Sequence, residues 1–334
     1  MLHHTNPSLA FVYIEHSDPE VLKEQAHQEL TPDQIAQKRL KMKKVLKEMD
    51  EKPSEGMLMT EIIDGLRSRG LNISDSKEIS ADIFSLEFLK ELVEPIDNAN
   101  DLDKMGGLNE VLLRIDSKHP DIRNAAYHVL GTAASNNDLV QKQVLEKGGL
   151  RQLARRLKVE DKNDSKAKAL YAIGTVARND RSARQILYEE KVPNLLLQFM
   201  QDEDTRIRRK SISLLTDFFS SDPDIFPKSI HSLDAFVIPL IEAIGESQED
   251  LDMREKAMTA IHTMVTVLLH ERNTIEILRV HNTVEALKKF QNDLKSMEDT
   301  EDPFHKMYLA DLNEMADNIL MHIEDVVKRR SQEF

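Results

Sequence analysis

Cysteine and tryptophan are both absent from the 334 residues. Without cysteine there is no thiol nucleophile, no disulfide and no thiolate-held zinc. The compartment stays open on that ground, because a cysteine-free chain is equally at home in the cytosol or in an oxidising lumen. No run of 18 uncharged apolar residues occurs, so the sequence offers no transmembrane helix. A surplus of basic residues is missing too. The formal net charge is -14, and nucleic acid or an anionic membrane would each demand a sustained basic face. Neither is an expected partner. Phosphate-binding glycine loops, HExxH, GxSxG and EF-hand patterns are all lacking. The 12 histidines are scattered, with His3 and His4 the closest pair. No catalytic residue, metal site or cofactor is therefore expected, and the chain does not read as an enzyme.

What the sequence does contain is a stretch that occurs twice. Residues 102–137 end in DIRNAAYHVLGTAASNN, and residues 144–179 end in DSKAKALYAIGTVARN. Aligning the copies pairs Gly107 with Gly149, Ala126 with Ala169 and Gly131 with Gly174, a shift of 42 or 43 residues. Two fainter copies place Ser211 and Ala257 at the small-residue position, and Lys191-Val192-Pro193 and Asp234-Ala235-Phe236 at the GGL corner. A wholly helical period of about 40–47 residues marks armadillo or HEAT stacking. Each copy reads as a short helix, a tight corner, a second helix and a longer third one, which favours the three-helix armadillo form. The expected fold is all-α: an armadillo-repeat solenoid of about four repeats between helical N- and C-terminal caps.

The expected organisation is a disordered tail over 1–16, an N-terminal helical region and cap over 17–94, armadillo repeats over 95–273 and capping helices over 274–334. Ser17-Asp18-Pro19 and Thr31-Pro32 are helix starts, and the basic run KRLKMKKVLK reads as a solvated helix face because acids follow it at once. Gly70 suits the end of a helix running from Met57. Asp121 is the expected cap of the third helix of repeat one, and an insertion lengthens repeat four at 246–251.

In such a stack the third helices line the concave side. With Ile122, Ala125, Ala126, Val129, Leu130 and Ala133 as the buried stripe, Asn124, Tyr127, His128, Thr132 and Ser135 are expected to face the groove. Repeat two offers Lys168, Tyr171, Thr175, Arg178 and Asn179, and repeat three offers Arg209, Ser213, Thr216 and Asp217. Arg123, Lys166, Lys168, Arg178, Arg206, Arg208 and Arg209 put positive charge on these helices in an acidic chain, a pattern suited to steering an acidic protein surface. Gly131 and Gly174 lie in mid-helix, where glycine costs about 1 kcal/mol against alanine. Something packs close to the backbone there, either a neighbouring helix or a partner's side chain.

Three segments carry a more specific resemblance: VEPIDNANDLDKMGGL (93–108), IRNAAYHVLGTAASNNDLVQKQVLEKGGL (122–150) and KAKALYAIGTVARND (166–180). Together they resemble the armadillo-type nucleotide exchange factors of heat-shock-70-type chaperones, a family with cytosolic and endoplasmic-reticulum branches. The match is good over about 90–200 and looser beyond. It implies a concave face that embraces lobe II of the chaperone's ATPase domain and promotes ADP release, with no covalent chemistry; a monomer is expected because a capped solenoid needs no partner subunit to cover its ends. The groove residues above are then the contacts, with Tyr127, His128, Lys168, Tyr171, Arg178 and Arg209 foremost. The first residues carry no secretory signal, which suggests the cytoplasm as the sequence stands. The lumen of the endoplasmic reticulum is the alternative if the N-terminus is truncated. The rival to exchange activity is an armadillo adaptor holding an extended peptide. Nuclear-import adaptors of that type use ladders of tryptophan and asparagine, but here tryptophan is absent and Gly131 stands at the asparagine place.

Overall fold

The computed structural model describes residues 53–178, 180–245, 250–267, 278, 282–297 and 302–332. The tail over 1–16, the helix starts at Ser17 and Thr31 with the basic run, Asn179 and most of the 246–251 insertion lie outside these residues. The described chain is helical, 81% of it with no strands. It forms two compact units that divide between Asn179 and Asp180. In chain order the helices of the first unit are α1 (Glu55–Arg69), α2 (Ser76–Leu92), α3 (Ile96–Lys104), α4 (Gly107–Ile115), α5 (Pro120–Ala134), α6 (Asp138–Glu146), α7 (Gly149–Leu157) and α8 (Asn163–Ala177). Those of the second are α9 (Arg181–Glu189), α10 (Val192–Phe199), α11 (Thr205–Ser221), α12 (Phe226–Ser229), α13 (Asp234–Gly245), α14 (Leu251–Val267), α15 (Thr283–Met297) and α16 (Pro303–Gln332).

The short–short–long rhythm is plain in the lengths. Triplets α3–α5 and α6–α8 each run 9, 9 and 15 residues, and α9–α11 runs 9, 8 and 17. Local sequence sets the boundaries. Asn137, Asp180 and Asp204 cap α6, α9 and α11 with side-chain oxygens that accept backbone N–H groups. At α5 the expected cap moves. His119 occupies the N-cap and Pro120 opens the helix, so Asp121 sits in the first turn, where its charge meets the positive end of the helix dipole. Gly70 closes α1 at φ 68°, as expected for a glycine C-cap.

The corner between the first and second helices of a triplet needs two things at once. Gly106 and Gly148 supply a left-handed backbone at φ 78° and 71°. Gly107 and Gly149 supply space, since a β carbon at Gly107 would lie 2.5 Å from Leu102 Cδ1 and one at Gly149 2.7 Å from Leu112 Cδ2. The third corner keeps the first requirement without glycine, with Lys191 at φ 58°. Asn282 repeats it at φ 58° directly before α15.

Layer packing explains why the flanking helices belong to the same scheme. In the first unit α2 lies against α5 as α5 lies against α8, and α1 lies against α4 as α4 lies against α7. Helices α1 and α2 thus take the places of second and third helices in a preceding layer. The second unit ends alike, with α15 packed on α13 and α16 on α14. Small residues make the close approach possible: Ala126, Ala169, Ser211 and Ala257 are all fully buried at one register.

Mid-helix Gly131 is explained inside the chain. A β carbon there would land on the Tyr171 ring of α8, 2.5 Å from Cδ1. Gly131→Ala would gain about 1 kcal/mol of helix propensity and lose about 1–3 kcal/mol to overpacking. The expected net effect is a lower melting temperature by circular dichroism, with a displaced Tyr171 ring; a rise would show that the ring yields without cost.

Candidate functional site

Three third helices, α2, α5 and α8, lie side by side in the first unit and present their outer faces as adjacent lanes. A helix flanked on both sides buries its core face and both shoulders, which leaves a narrow lane rather than half of its circumference. That geometry decides which expected groove residues reach solvent. His128 and Arg178 are exposed, and Thr132, Lys168 and Tyr171 are half-buried. In the second unit, α11 leaves Asp217 exposed and Arg209, Ser213 and Thr216 half-buried.

Three expected contacts are instead inside the protein. Tyr127 is fully buried and Asn124 and Thr175 are nearly so. Asn124 Nδ2 donates to Asp164 Oδ2 at 3.0 Å, a bond from α5 to α8. Arg209, at the same register of α11, reaches Asp250 at 2.5 Å, and Glu255 of α14 accepts from the Tyr308 hydroxyl of α16 at 2.6 Å. In α5, α11 and α14 this register therefore ties one layer to the next. The Thr175 hydroxyl turns back to donate to the Ala172 carbonyl, 3.0 Å away. Asn179 falls outside the described residues.

Tyr127 points to a residue that periodicity alone did not reveal, Glu160, in the turn before α8. Arg123 grips this buried carboxylate with two nitrogens at 2.6 and 2.7 Å, the Tyr127 hydroxyl donates at 2.6 Å, and Arg156 Nε donates at 3.2 Å. Burial alone would raise the Glu160 pKa, but the bonds from Arg123 and Tyr127, backed by Arg156, outweigh it and hold the carboxyl below its ordinary value. Burial and the same carboxylate push Tyr127 upward. The available sequence signal was the triple Arg123, Tyr127 and Glu160 in a chain whose other charges mostly face solvent.

The expected basic row is largely compensated from within. Arg123 is held by Glu160, Lys168 by Asp164 at 2.9 Å, Arg206 by Asp204 at 2.8 Å, and Arg209 by Asp250 and Asp252. His128 is exposed as a residue, but neighbours desolvate its ring in part; that burial, reinforced by the Lys168 and Lys90 ammoniums, lowers its pKa from the ordinary histidine value. Its edge meets the Tyr171 ring, with centroids 6.1 Å apart. Lys90 and Glu91 belong to α2, so the polar lane begins one helix earlier than the repeats suggested. Gly174 differs from Gly131, since a β carbon there meets no described atom within 4 Å. Among the described residues no cluster of histidine and carboxylate side chains is arranged to hold a metal ion, and no helix is long and apolar enough to cross a membrane.

The model of the SIL1/FES1/HPBP1 C-terminal domain matches residues 98–232, and that of the nucleotide exchange factor Fes1 matches residues 13–102. Together they cover more than half of the chain. The chain belongs to the SIL1/FES1/HPBP1 family. Among relatives, the Hsp70 nucleotide exchange factor fes1 of Schizosaccharomyces pombe is 25% identical over 223 residues, 66% of this chain and 74% of that protein. The nucleotide exchange factor Sil1 of Drosophila melanogaster is 31% identical over 168 residues, 49% of this chain and 39% of that protein. For mouse SIL1 the identity is 24% over 263 residues, 72% of this chain and 56% of that one. The alignments thus span much of the yeast relative but only part of the animal ones. A computationally designed armadillo repeat protein for modular peptide recognition superposes with a TM-score of 0.62 at 16% identity, covering 79% of this chain and 99% of that one. A likeness at that identity speaks for the fold of this family member and nothing more.

Two substitutions test the buried cluster of this Fes1-like chain. Tyr127→Phe should cost about 1.5–3 kcal/mol of stability, the worth of a hydrogen bond to a charged group. Glu160→Gln should cost about 3–5 kcal/mol, because it leaves buried Arg123 short of a counter-charge. The Glu160 pKa is lower in the folded than in the unfolded chain, where it is about 4.3. Its contribution is complete above that value and fades as pH falls through the folded value. Denaturant melts should therefore show wild type and Glu160→Gln converging in acid and separating toward neutrality; a constant gap would contradict the charge argument.

Proposed function

We propose that this chain is a nucleotide exchange factor for a heat-shock-70-type chaperone. The observation that carries the reading is its family membership, with family models matched over 98–232 and 13–102 and a relative named as an Hsp70 nucleotide exchange factor aligned over 223 residues. The face assigned to the partner is the lane side of the third helices, with His128, Thr132, Lys168, Tyr171 and Arg178 as contacts in the first unit and Arg209, Ser213 and Asp217 in the second. The partner surface is lobe II of the chaperone's ATPase domain.

The chemistry asked of the protein is binding alone. An exchange factor accelerates ADP release only by holding the open form of the nucleotide cleft more tightly than the closed ADP-bound form. Its effect is bounded by that difference in affinity, and bound ADP must weaken the factor's grip to the same extent. Helices clasped by their neighbours within each unit suit the task, because a surface that deformed to fit both forms would discriminate between neither. No group of this chain needs to touch the nucleotide.

Charge plays a smaller part than the sequence suggested, since most cations of the third helices are matched by carboxylates of the chain itself. Arg178, exposed at the end of α8, is the cation assigned to an acidic element of the partner.

Stopped-flow release of a fluorescent ADP from cytosolic and lumenal chaperones tests the reading. Wild type should accelerate release, and the chaperone that responds reports the compartment. Arg178→Glu, with unchanged thermal melting, should weaken the effect about tenfold, equivalent to about 1.4 kcal/mol of partner affinity. A folded protein that accelerates neither chaperone would end the exchange reading and favour an adaptor that binds a peptide instead.

A further inference from the structure

The outer side of α2 is apolar where the end of a stack should be polar. Helix α5 has a third helix on each side, α2 before it and α8 after it, whereas α2 opens the series among the described residues and packs on α1 and α5. The terminal layer of a solenoid turns a polar face to water, since nothing stacks on it. Helix α2 does not fit that description. Its core side is set by Leu86 and Leu89, both fully buried, and beside them Asp82 and Ser85 accept from the Arg69 guanidinium of α1 at 2.6 and 2.9 Å. On the opposite side stands Phe84, and Phe88 follows one turn later with ring centroids 6.2 Å apart. Both are half-buried. Glu87 and Glu91 run along this side one turn apart, with Glu94 beyond them. Lys90 meets Glu91 at 3.0 Å and Glu94 at 2.7 Å, so the acids outnumber the base. The side suits an occupant that is both apolar and basic.

The chain carries such a segment just ahead of the described residues. In residues 32–49, PDQIAQKRLKMKKVLKEM, the apolar residues Ile35, Met42, Leu46 and Met49 recur at intervals of seven, four and three, which puts them on one face of a helix. Arg39 and Lys43 fall along one edge of that face, and Lys38 and Lys41 along the other. The tether is also suitable. Asn98 Nδ2 donates to Glu55 Oε2 at 2.6 Å and to the Leu92 carbonyl at 2.8 Å, which sets the start of α1 beside the end of α2. Residues 50–54 separate Met49 from α1, a reach of about 17 Å when extended. Packed helices stand about 8–10 Å apart, so the segment can lie along α2.

We propose that residues 32–49 form a helix that docks on the outer side of α2 and closes the leading end of the first unit. Ile35, Met42, Leu46 and Met49 cover Phe84 and Phe88, while Arg39 and Lys43 reach Glu87 and Glu91. The occupant is a segment of this chain rather than a separate protein, because a short tether keeps it at high effective concentration and its charge is opposite to that of the side it covers. The tether also sets the direction. Met49 comes to the end of α2 that carries Leu92, so the segment runs the same way as α2. Lys44 and Lys47 are left on the far face, in water. The inference concerns this chain alone and stands apart from the exchange reading.

Amide hydrogen exchange of the full chain, read by mass spectrometry, tests the docking. Amides of 35–49 should exchange about tenfold or more slowly than in a synthetic 30–52 peptide, which has no α2 to lie on. Met42→Asp, and separately Arg39→Glu with Lys43→Glu, should each speed exchange over 35–49 about fivefold while α5 and α8 stay as protected as in wild type. Adding Glu87→Lys with Glu91→Lys to the Arg39→Glu, Lys43→Glu chain should restore the protection, which a general loss of stability would not do. Exchange over 35–49 as fast as in the peptide would overturn the inference, and so would protection that the charge reversals leave unchanged. Protection that fades on dilution, with a dimer seen by light scattering, would overturn it in favour of a second copy on α2. Protection gained only on anionic lipid vesicles would overturn it in favour of a membrane surface.

Discussion

A buried guanidinium must find a carboxylate, and the pairs that satisfy this demand tie the helices of each unit together. Arg114 of α4 reaches Asp82 of α2 at 2.8 Å, Arg123 of α5 reaches Glu160 ahead of α8, and Arg254 of α14 reaches Asp293 of α15 at 2.6 Å. Each pair joins one layer to the next. Leucine and alanine faces can slide past one another at small cost, but a charge pair cut off from water fixes a single register. Arg114 also donates to the backbone carbonyl oxygens of Leu66 and Gly70, and Arg254 lies over the Phe290 ring at 4.5 Å, so these side chains serve as packing as well as charge.

This layering shapes the outer surface. A third helix clasped by its neighbours spends many of its polar side chains on holding them. Asn124, Tyr127 and Arg209 all do so, and on α5 what remains beyond the first turn is His128 and Thr132 alone. A binding face of that kind gains little from net charge and much from spacing, because third helices packed about 8–10 Å apart place their outward residues on a fixed grid. The acidic balance of the whole chain and the near-neutral lane are thus compatible.

Much of the fold could be read from the repeat: the short–short–long helices, the glycine corners and the small residues at Ala126, Ala169, Ser211 and Ala257 all carry over directly into the layers. The binding face was less legible for a definite reason. A 3.6-residue period separates the face of a helix that meets the core from the one opposite, but it says nothing about shoulders, and Tyr127, Asn124 and Thr175 are shoulder residues. Glu160 was missed because it lies in a turn, where no period exists to mark it as buried. The flanking helices α1, α2, α15 and α16 read as caps because their sequences lack the glycine pair; the left-handed backbone at Asn282 is a trace of the corner that sequence identity had erased.

Gly131 and Tyr171 stand at different registers of two successive copies of the repeat, Tyr171 at the place of His128, and the ring of one fills the space left by the other. Positions so matched are not independent units of inheritance. A duplication that copied the second repeat would carry a tyrosine against the middle of whichever third helix came before it, and that helix would have to carry glycine as well. The pair would be expected to change together across descendants of the chain, so that the history of its duplications is written in which glycines face a ring.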